Sequence, residues 1–236
     1  MSKKNILWLI FFNLFGAALF LSWYLPPMHG FWLSIDSGVF FFFNHLLARS
    51  DAFRYLVALT NLRPFDGVAF LAMLAIFGFH YRRADARGRR RMIAIGLTML
   101  IAAVIAKQFD MAMSFHRLSP TSYFRAAAQP VLRVSELTGW PAKDASGASF
   151  PGDHAMMLLI FTCFMLRYFG KRTFLASLAV FLLFSLPRVM SGAHWLTDIV
   201  VGAGSICAIV LSWLLLTPAS DWLVWRLTRL LARHRR

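Results

Sequence analysis

Three side chains in the C-terminal half of the chain have the types and spacing that phosphoryl transfer needs. His194 and Asp198 lie four positions apart, which places them on one face of a helix, and Arg188 precedes His194 by six positions. A carboxylate that accepts from one imidazole nitrogen fixes the tautomer and leaves the other nitrogen as a nucleophile. An arginine guanidinium binds two phosphate oxygens at once. The three residues therefore predict a nucleophile, its orienting carboxylate and a phosphate-binding group.

A second histidine could supply the acid. His154 follows Pro151–Asp153, which is typical of a helix start, so the backbone and the helix dipole there favour an anion. From that position an imidazole could protonate a leaving phosphate oxygen. A further basic cluster contains Arg117, with Lys107 ten positions before it. Phosphoryl transfer requires this set: a nucleophile, an acid, and cations for the equatorial oxygens.

Long apolar runs must position these residues. The chain has 236 residues, 59% of them hydrophobic and 15% charged, against about 25% charged in soluble domains. The segment Ile6–Leu25 alone is long enough to cross a bilayer. We predict an all-α bundle of six membrane helices in a single domain, residues 1–236, with short interfacial helices in the first outward segment. The predicted helices are 6–25, 65–81, 92–113, 154–169, 173–188 and 194–216, and the outward loops are 26–64 and 114–153.

The basic residues orient this bundle. With both termini in the cytoplasm, sixteen of the 25 basic residues fall on the cytoplasmic side, as the positive-inside rule requires. The net charge of +15 is therefore explained by membrane topology and contact with anionic lipid, and no nucleic-acid partner is predicted. The sixteen are Lys3, Lys4, Arg82, Arg83, Arg87, Arg89, Arg90, Arg91, Arg167, Lys171, Arg172, Arg226, Arg229, Arg233, Arg235 and Arg236.

Some polar residues have two open interpretations. Asp153 either takes part in the site or is only the N-cap of the next helix. Lys107 either contributes to the site or forms a structural ion pair with Asp110, three positions on. A His-x3-Asp pair can bind zinc, but no convincing third ligand is present, so no metal is predicted. The residues that either line the site or cap the second membrane helix are Asn61, Arg63 and Asp66.

The spacing Arg188-x5-His194-x3-Asp198, preceded by Pro151-x-x-His154, resembles the type 2 phosphatidic acid phosphatase superfamily over about residues 60–215. Within it the chain resembles the lipid A 1-diphosphate synthases, through segments such as Ser149–Ile160 and Ala58–Gly67. These are inner-membrane enzymes, and the resemblance implies a multi-pass protein with its site facing the periplasm. It also implies transfer from undecaprenyl pyrophosphate to the 1-phosphate of lipid A, without a cofactor.

The resemblance assigns a role to each motif residue. His194 becomes phosphohistidine, Asp198 orients it, and Arg188 binds the phosphoryl group. His154 is the acid for the leaving group and then the base for the acceptor. Arg117 corresponds to the arginine of the first motif, which also binds phosphate.

The chain departs from the family pattern in its first two motifs. The second motif is usually Pro-Ser-Gly-His, whereas this chain has Pro151-Gly152-Asp153-His154. The first motif has a lysine seven positions before an Arg-Pro pair, whereas Asp110 stands there in this chain. Lys107 and Lys143 are the candidates for that missing phosphate contact. On the acceptor side Lys143 is the preferred candidate, and Asp153 is a further substrate-binding candidate. The other acceptor-side candidates are Arg63, Arg117, Arg125 and Arg133.

Two alternatives remain open at the level of sequence. The nearer is a phosphatase of the same fold that hydrolyses undecaprenyl pyrophosphate or a glycerolipid phosphate. The remoter is a non-enzymatic transporter or scaffold. A transporter favours charged or broken helices at the membrane midplane, whereas the clusters in this chain fall at helix ends.

Overall fold

The computed structural model describes residues 1–113 and 116–233, in which helices are joined by turns and loops and no strand occurs. The all-α prediction is confirmed. The helices are α1 (Lys3–Tyr24), α2 (Phe31–Arg49), α3 (Asp51–Thr60), α4 (Arg63–Arg83), α5 (Ala86–Met113), α6 (Pro120–Ala126), α7 (Val134–Thr138), α8 (Asp153–Phe169), α9 (Lys171–Met190), α10 (Gly204–Leu215) and α11 (Ala219–Arg233). A 3-10 turn (Pro27–His29) precedes α2, and a π-helical turn (Asp198–Ala203) precedes α10.

Six helical segments in the described residues are long and apolar enough to cross a membrane. The number agrees with the polytopic bundle that the sequence predicts, but the set differs. Helix α2, expected as a short interfacial segment, has 19 residues and is among the six, whereas α8 has only 17 and is not. The six are α1, α2, α4, the Ala86–Phe109 part of α5, α9 (Lys171–Met190), and the π-helical turn together with α10 (Asp198–Leu215).

The core is built around α8, α9 and α10. Helix α8 packs against α9, α10 and α5, and its buried side chains include Phe164 and Met165. These meet Ile206 and Val210 from α10. Because α8 and α9 are antiparallel neighbours joined at Gly170, the start of α8 and the end of α9 lie at the same end of the bundle. His154 and Arg188 are thereby brought together.

The predicted helix 194–216 begins later than expected. A turn spans Ser191–His194, and helical structure resumes only after Trp195. Asp198 then opens the π-helical turn that leads into α10. Such turns occur often at functional sites, and this one separates the third motif from the regular helix that follows.

The C-terminal segment contains a helix that was not predicted from the sequence. Helix α11 packs against α5 and α10. Arg167 at the end of α8 is 2.6 Å from Asp221 of α11. The interaction attaches α11 to the end of the bundle opposite His154.

Candidate active site

A charged cavity of about 470 Å³ opens at the shared end of α5, α8 and α9. We call it the catalytic cavity. Both predicted catalytic histidines line it, together with four of the other predicted site residues. Those lining residues are His154, His194, Arg188, Lys107, Lys143 and Asp153.

The nucleophile and its carboxylate are in contact. Nδ1 of His194 lies 3.3 Å from Oδ2 of Asp198, so a proton on Nδ1 leaves Nε2 as the candidate nucleophile. The same carboxylate oxygen accepts the backbone N–H of Trp195 at 2.9 Å. In a capping box, a side chain likewise accepts the backbone N–H of the residue three positions earlier, just before the helix. Asp198 therefore both starts the helix and orients His194.

Arg117, predicted to bind phosphate, contacts two carboxylates in the structure. Its guanidinium donates to Asp198 Oδ1 at 3.0 Å and to Asp36 Oδ2 at 2.8 Å. The side chain is only 10% exposed, and its guanidinium lies over the rings of Trp23 and Trp195. Arg117 is bound to two carboxylates behind His194, where it fixes Asp198.

Asp36 of α2 completes this support. Its carboxylate accepts the backbone N–H of Thr197 at 3.0 Å as well as the Arg117 guanidinium. The side chain is fully buried. A buried carboxylate is costly unless it is paired and hydrogen-bonded, and Asp36 meets both conditions. The sequence analysis missed it, although a lone aspartate within an apolar helix is a known signal of function.

A tight turn presents His194 to the cavity. Gly192 has a φ of +76°, and a Cβ there would lie 2.2 Å from Thr121 Oγ1. Only glycine fits such a conformation and approach. The backbone N–H of His194 donates to the carbonyl of Arg188 at 3.1 Å. Arg188 and His194, the predicted phosphate-binding group and nucleophile, thus share one short, closed segment.

Arg188 is held by Asn61, which directly follows α3, and by Asp66 in the first turn of α4. Its guanidinium donates to Asp66 Oδ1 and, at 3.4 Å, to Asn61 Oδ1. Asn61 also donates to the carbonyl of Pro187 at 2.9 Å, and its own carbonyl accepts from the backbone of Lys143. Of the two open interpretations for Asn61 and Asp66, the structure supports lining the site, since Leu62 is the N-cap of α4.

His154 lines the catalytic cavity at the start of α8. Gly152, with a φ of +79°, is the N-cap of α8, so the N-cap interpretation of Asp153 is wrong. Asp153 instead accepts from Nζ of Lys107 at 2.7 Å. Nδ1 of His154 lies 3.9 Å from Asp66 Oδ1. The alternative pairing of Lys107 with Asp110 lies outside the described residues.

The remaining predicted residues line a second cavity of about 700 Å³ beside the first. We call it the flanking cavity. Arg63 and Arg133 line the flanking cavity but not the catalytic cavity, whereas Asp66, Lys143 and Arg188 line both. Arg133 donates to Asp144 Oδ1 at 3.0 and 2.7 Å through two nitrogens. Burial and the neighbouring Arg188 guanidinium lower the pKa of Lys143.

No group of three or more His, Cys, Asp or Glu side chains suited to a metal ion occurs within residues 1–113 and 116–233. The absence of a metal from the reaction stays a prediction, to be tested by chelation.

Paired histidines, an orienting carboxylate and clustered cations at the end of a helical membrane bundle define a protein built for phosphoryl transfer on lipids. Residues 111–222 match the family described as the PAP2 superfamily. The chain is 52% identical over 222 residues to Lipid A 1-diphosphate synthase from Escherichia coli (strain K12), covering 94% of this chain and 92% of that relative. The chain therefore belongs to the PAP2 superfamily, and it is a multi-pass membrane protein. No solved structure matches it.

Proposed function

We propose that this chain transfers a phosphoryl group from undecaprenyl pyrophosphate to the 1-phosphate of lipid A. The products are lipid A 1-diphosphate and undecaprenyl phosphate. The observation that carries the proposal is the contact of His194 with Asp198 in a cavity shared with Arg188 and His154. The high identity to a relative named Lipid A 1-diphosphate synthase supports the substrates.

In the first step Nε2 of His194 attacks the terminal phosphorus of the donor. The bond from that phosphorus to the bridging oxygen breaks, and undecaprenyl phosphate leaves with a proton from His154. Arg188, with Lys143 and Lys107 lining the same cavity, neutralises the charge on the equatorial oxygens. Asp198 stabilises the imidazolium that forms while its own position is fixed by Arg117.

In the second step an oxygen of the acceptor phosphate attacks the phosphorus of phosphohistidine. The N–P bond breaks and its electron pair returns to Nε2 of His194. His154, now neutral, accepts any proton that the attacking oxygen carries. Transfer exceeds hydrolysis when the acceptor is held in line, because positioning is worth several orders of magnitude in effective concentration.

The experiment that tests the proposal follows the labelled phosphate. Purified protein is given undecaprenyl pyrophosphate labelled in its terminal phosphate, with and without lipid A. We expect an acid-labile, base-stable phosphoenzyme and labelled lipid A diphosphate, and both should be abolished in His194→Ala. Release of inorganic phosphate at the same rate with and without lipid A, with no labelled lipid, would identify a phosphatase instead.

We further propose that the protein lies in the inner membrane with both termini in the cytoplasm and the catalytic cavity on the periplasmic side. The support is the clustering of basic residues in the segments at the end of the bundle opposite His154. In spheroplasts a membrane-impermeant thiol reagent should label Ala127→Cys but not Ala86→Cys, both of which are exposed. The reverse pattern would place the cavity on the cytoplasmic side.

A further inference from the structure

The flanking cavity has its own walls and its own charges. The start of α4 contributes Arg63, and the start of α7 contributes Arg133 and Ser135. The loop that precedes α8 contributes Lys143. A cavity of about 700 Å³ lies within the range that encloses a molecule of several rings, about 300–1,000 Å³. It therefore has room for a sugar phosphate as well as for a bare anion.

Two of the positive charges in this cavity have no paired carboxylate among the described residues. Of the four basic side chains that line it, Arg188 is paired with Asp66 and Arg133 with Asp144. The side chains of Arg63 and Lys143 make no hydrogen bond or ion pair within the described parts of the chain. Lys143 is also repelled by Arg188, which lines the same cavity. An anion bound between them would relieve that repulsion.

The wall of the flanking cavity is held in place by contacts that do not involve the side-chain nitrogens of Arg63 or Lys143. Asp144, which is 1% exposed, holds Arg133 and also accepts the backbone N–H of Ser135 at 2.8 Å. The backbone N–H of Lys143 donates to Asn61, and the carbonyl of Lys143 accepts from Ser191 at 3.1 Å. The loop is therefore fixed through its main chain, which leaves the Lys143 ammonium available for a ligand.

We propose that the flanking cavity binds the phosphorylated sugar head of the acceptor lipid. This inference rests on the proposed function. Arg188 and Lys143 line both cavities, so an acceptor anion on one side and the phosphoryl group of His194 on the other contact the same cations. Those shared cations screen the repulsion between the two anions and direct the acceptor oxygen toward His194.

The choice between acceptor and donor follows from the position of the acid. His154 lines the catalytic cavity and not the flanking one. The oxygen that leaves the donor needs the proton of His154, so both phosphates of the donor belong in the catalytic cavity. Only the acceptor remains for the flanking cavity.

Arg63 is the sharpest probe because it is exposed and lines the flanking cavity alone. Arg63→Ala should raise the KM for lipid A by about ten-fold, the usual effect of losing one charge-assisted contact. Arg63→Glu should raise it further. Both variants should form phosphoenzyme from labelled undecaprenyl pyrophosphate at the wild-type rate, measured in the absence of lipid A.

Arg49→Ala is the matched control, since Arg49 is an exposed arginine in the same outward segment and lines neither cavity. It should change neither step. Equal losses of phosphoenzyme formation and transfer in Arg63→Ala would assign the cavity to the donor. Unchanged kinetics in both Arg63 variants would show that the cavity binds neither lipid. Wild-type protein that forms phosphoenzyme but no labelled lipid would contradict the proposed function itself.

Discussion

The two histidines of the catalytic cavity have very different surroundings. His194 touches a carboxylate that is completely buried and that accepts from Arg117 and the Trp195 backbone as well. Among the described residues, the carboxylate near His154 is that of Asp66, which is 47% exposed and 3.9 Å away. That carboxylate is also engaged with Arg188. One histidine is held by a closed network, and the other by a single loose partner.

The difference matches what the two groups must do. A nucleophile needs one fixed ring orientation and one tautomer throughout the cycle, which a closed network supplies. An acid that later acts as a base must exchange its proton and serve two different oxygens. A solvent-exposed partner at a longer distance permits that adjustment. We therefore expect catalysis to depend on a fixed ring orientation at His194 and on proton transfer at His154.

Apart from loss of His194 itself, the largest effect should come from Asp198→Asn. The amide removes the charge that stabilises the imidazolium and favours the wrong tautomer of His194, so transfer should fall by about 10⁴-fold. Labelled phosphoenzyme and initial rates measure the loss, with thermal unfolding as the check on the fold. Activity within ten-fold of wild type would show that the closed network is not needed for the nucleophile.

His154→Gln should reduce the rate by about 10²- to 10⁴-fold, the usual range for losing a general acid. The loss should shrink with an activated aryl phosphate as donor, because a good leaving group needs no proton. His194→Ala on the same donor is the control and should stay inactive. A loss that is the same for both donors would assign His154 to binding instead of proton transfer.

Asp66→Asn should have a smaller effect, roughly ten-fold on kcat, which corresponds to one charge-assisted contact. If Asp66 acts through His154, the double variant with His154→Gln should be no slower than His154→Gln alone. A double-mutant cycle on kcat measures this coupling. Fully additive losses would show that Asp66 acts only through Arg188.

Chelation should have the smallest effect. Arginine and lysine side chains neutralise the charge that magnesium neutralises in kinases, so we expect activity to stay within about two-fold after treatment with a strong chelator. If the chelator abolishes activity and added zinc or magnesium restores it, a metal ion near His154 takes the place of the His154 proton.

The sequence predicted those parts of the site that depend on local spacing. His194, Asp198 and Arg188 lie within eleven consecutive residues, so their proximity follows from one turn and one helix start. The position of Arg117 could not be predicted, because its partner Asp36 is 81 residues away in another helix. The conformation of the loop before α8 could not be predicted either. It depends on tertiary contacts of Asn61 and Asp144, and the loop sequence has no periodic pattern.

The support of Asp198 also limits how far the matched family region can stand alone. Residues 111–222 contain every lining residue of the catalytic cavity except Asp66 and Lys107. Asp36 and Trp23, which contact Arg117, lie outside that region in α2 and α1. A fragment limited to the family region would leave the guanidinium of Arg117 without half of its counter-charge and without one of its aromatic faces. The catalytic module of this chain is therefore larger than its recognisable family segment, and a fusion or transplant that keeps the chemistry must carry the first two helices with it.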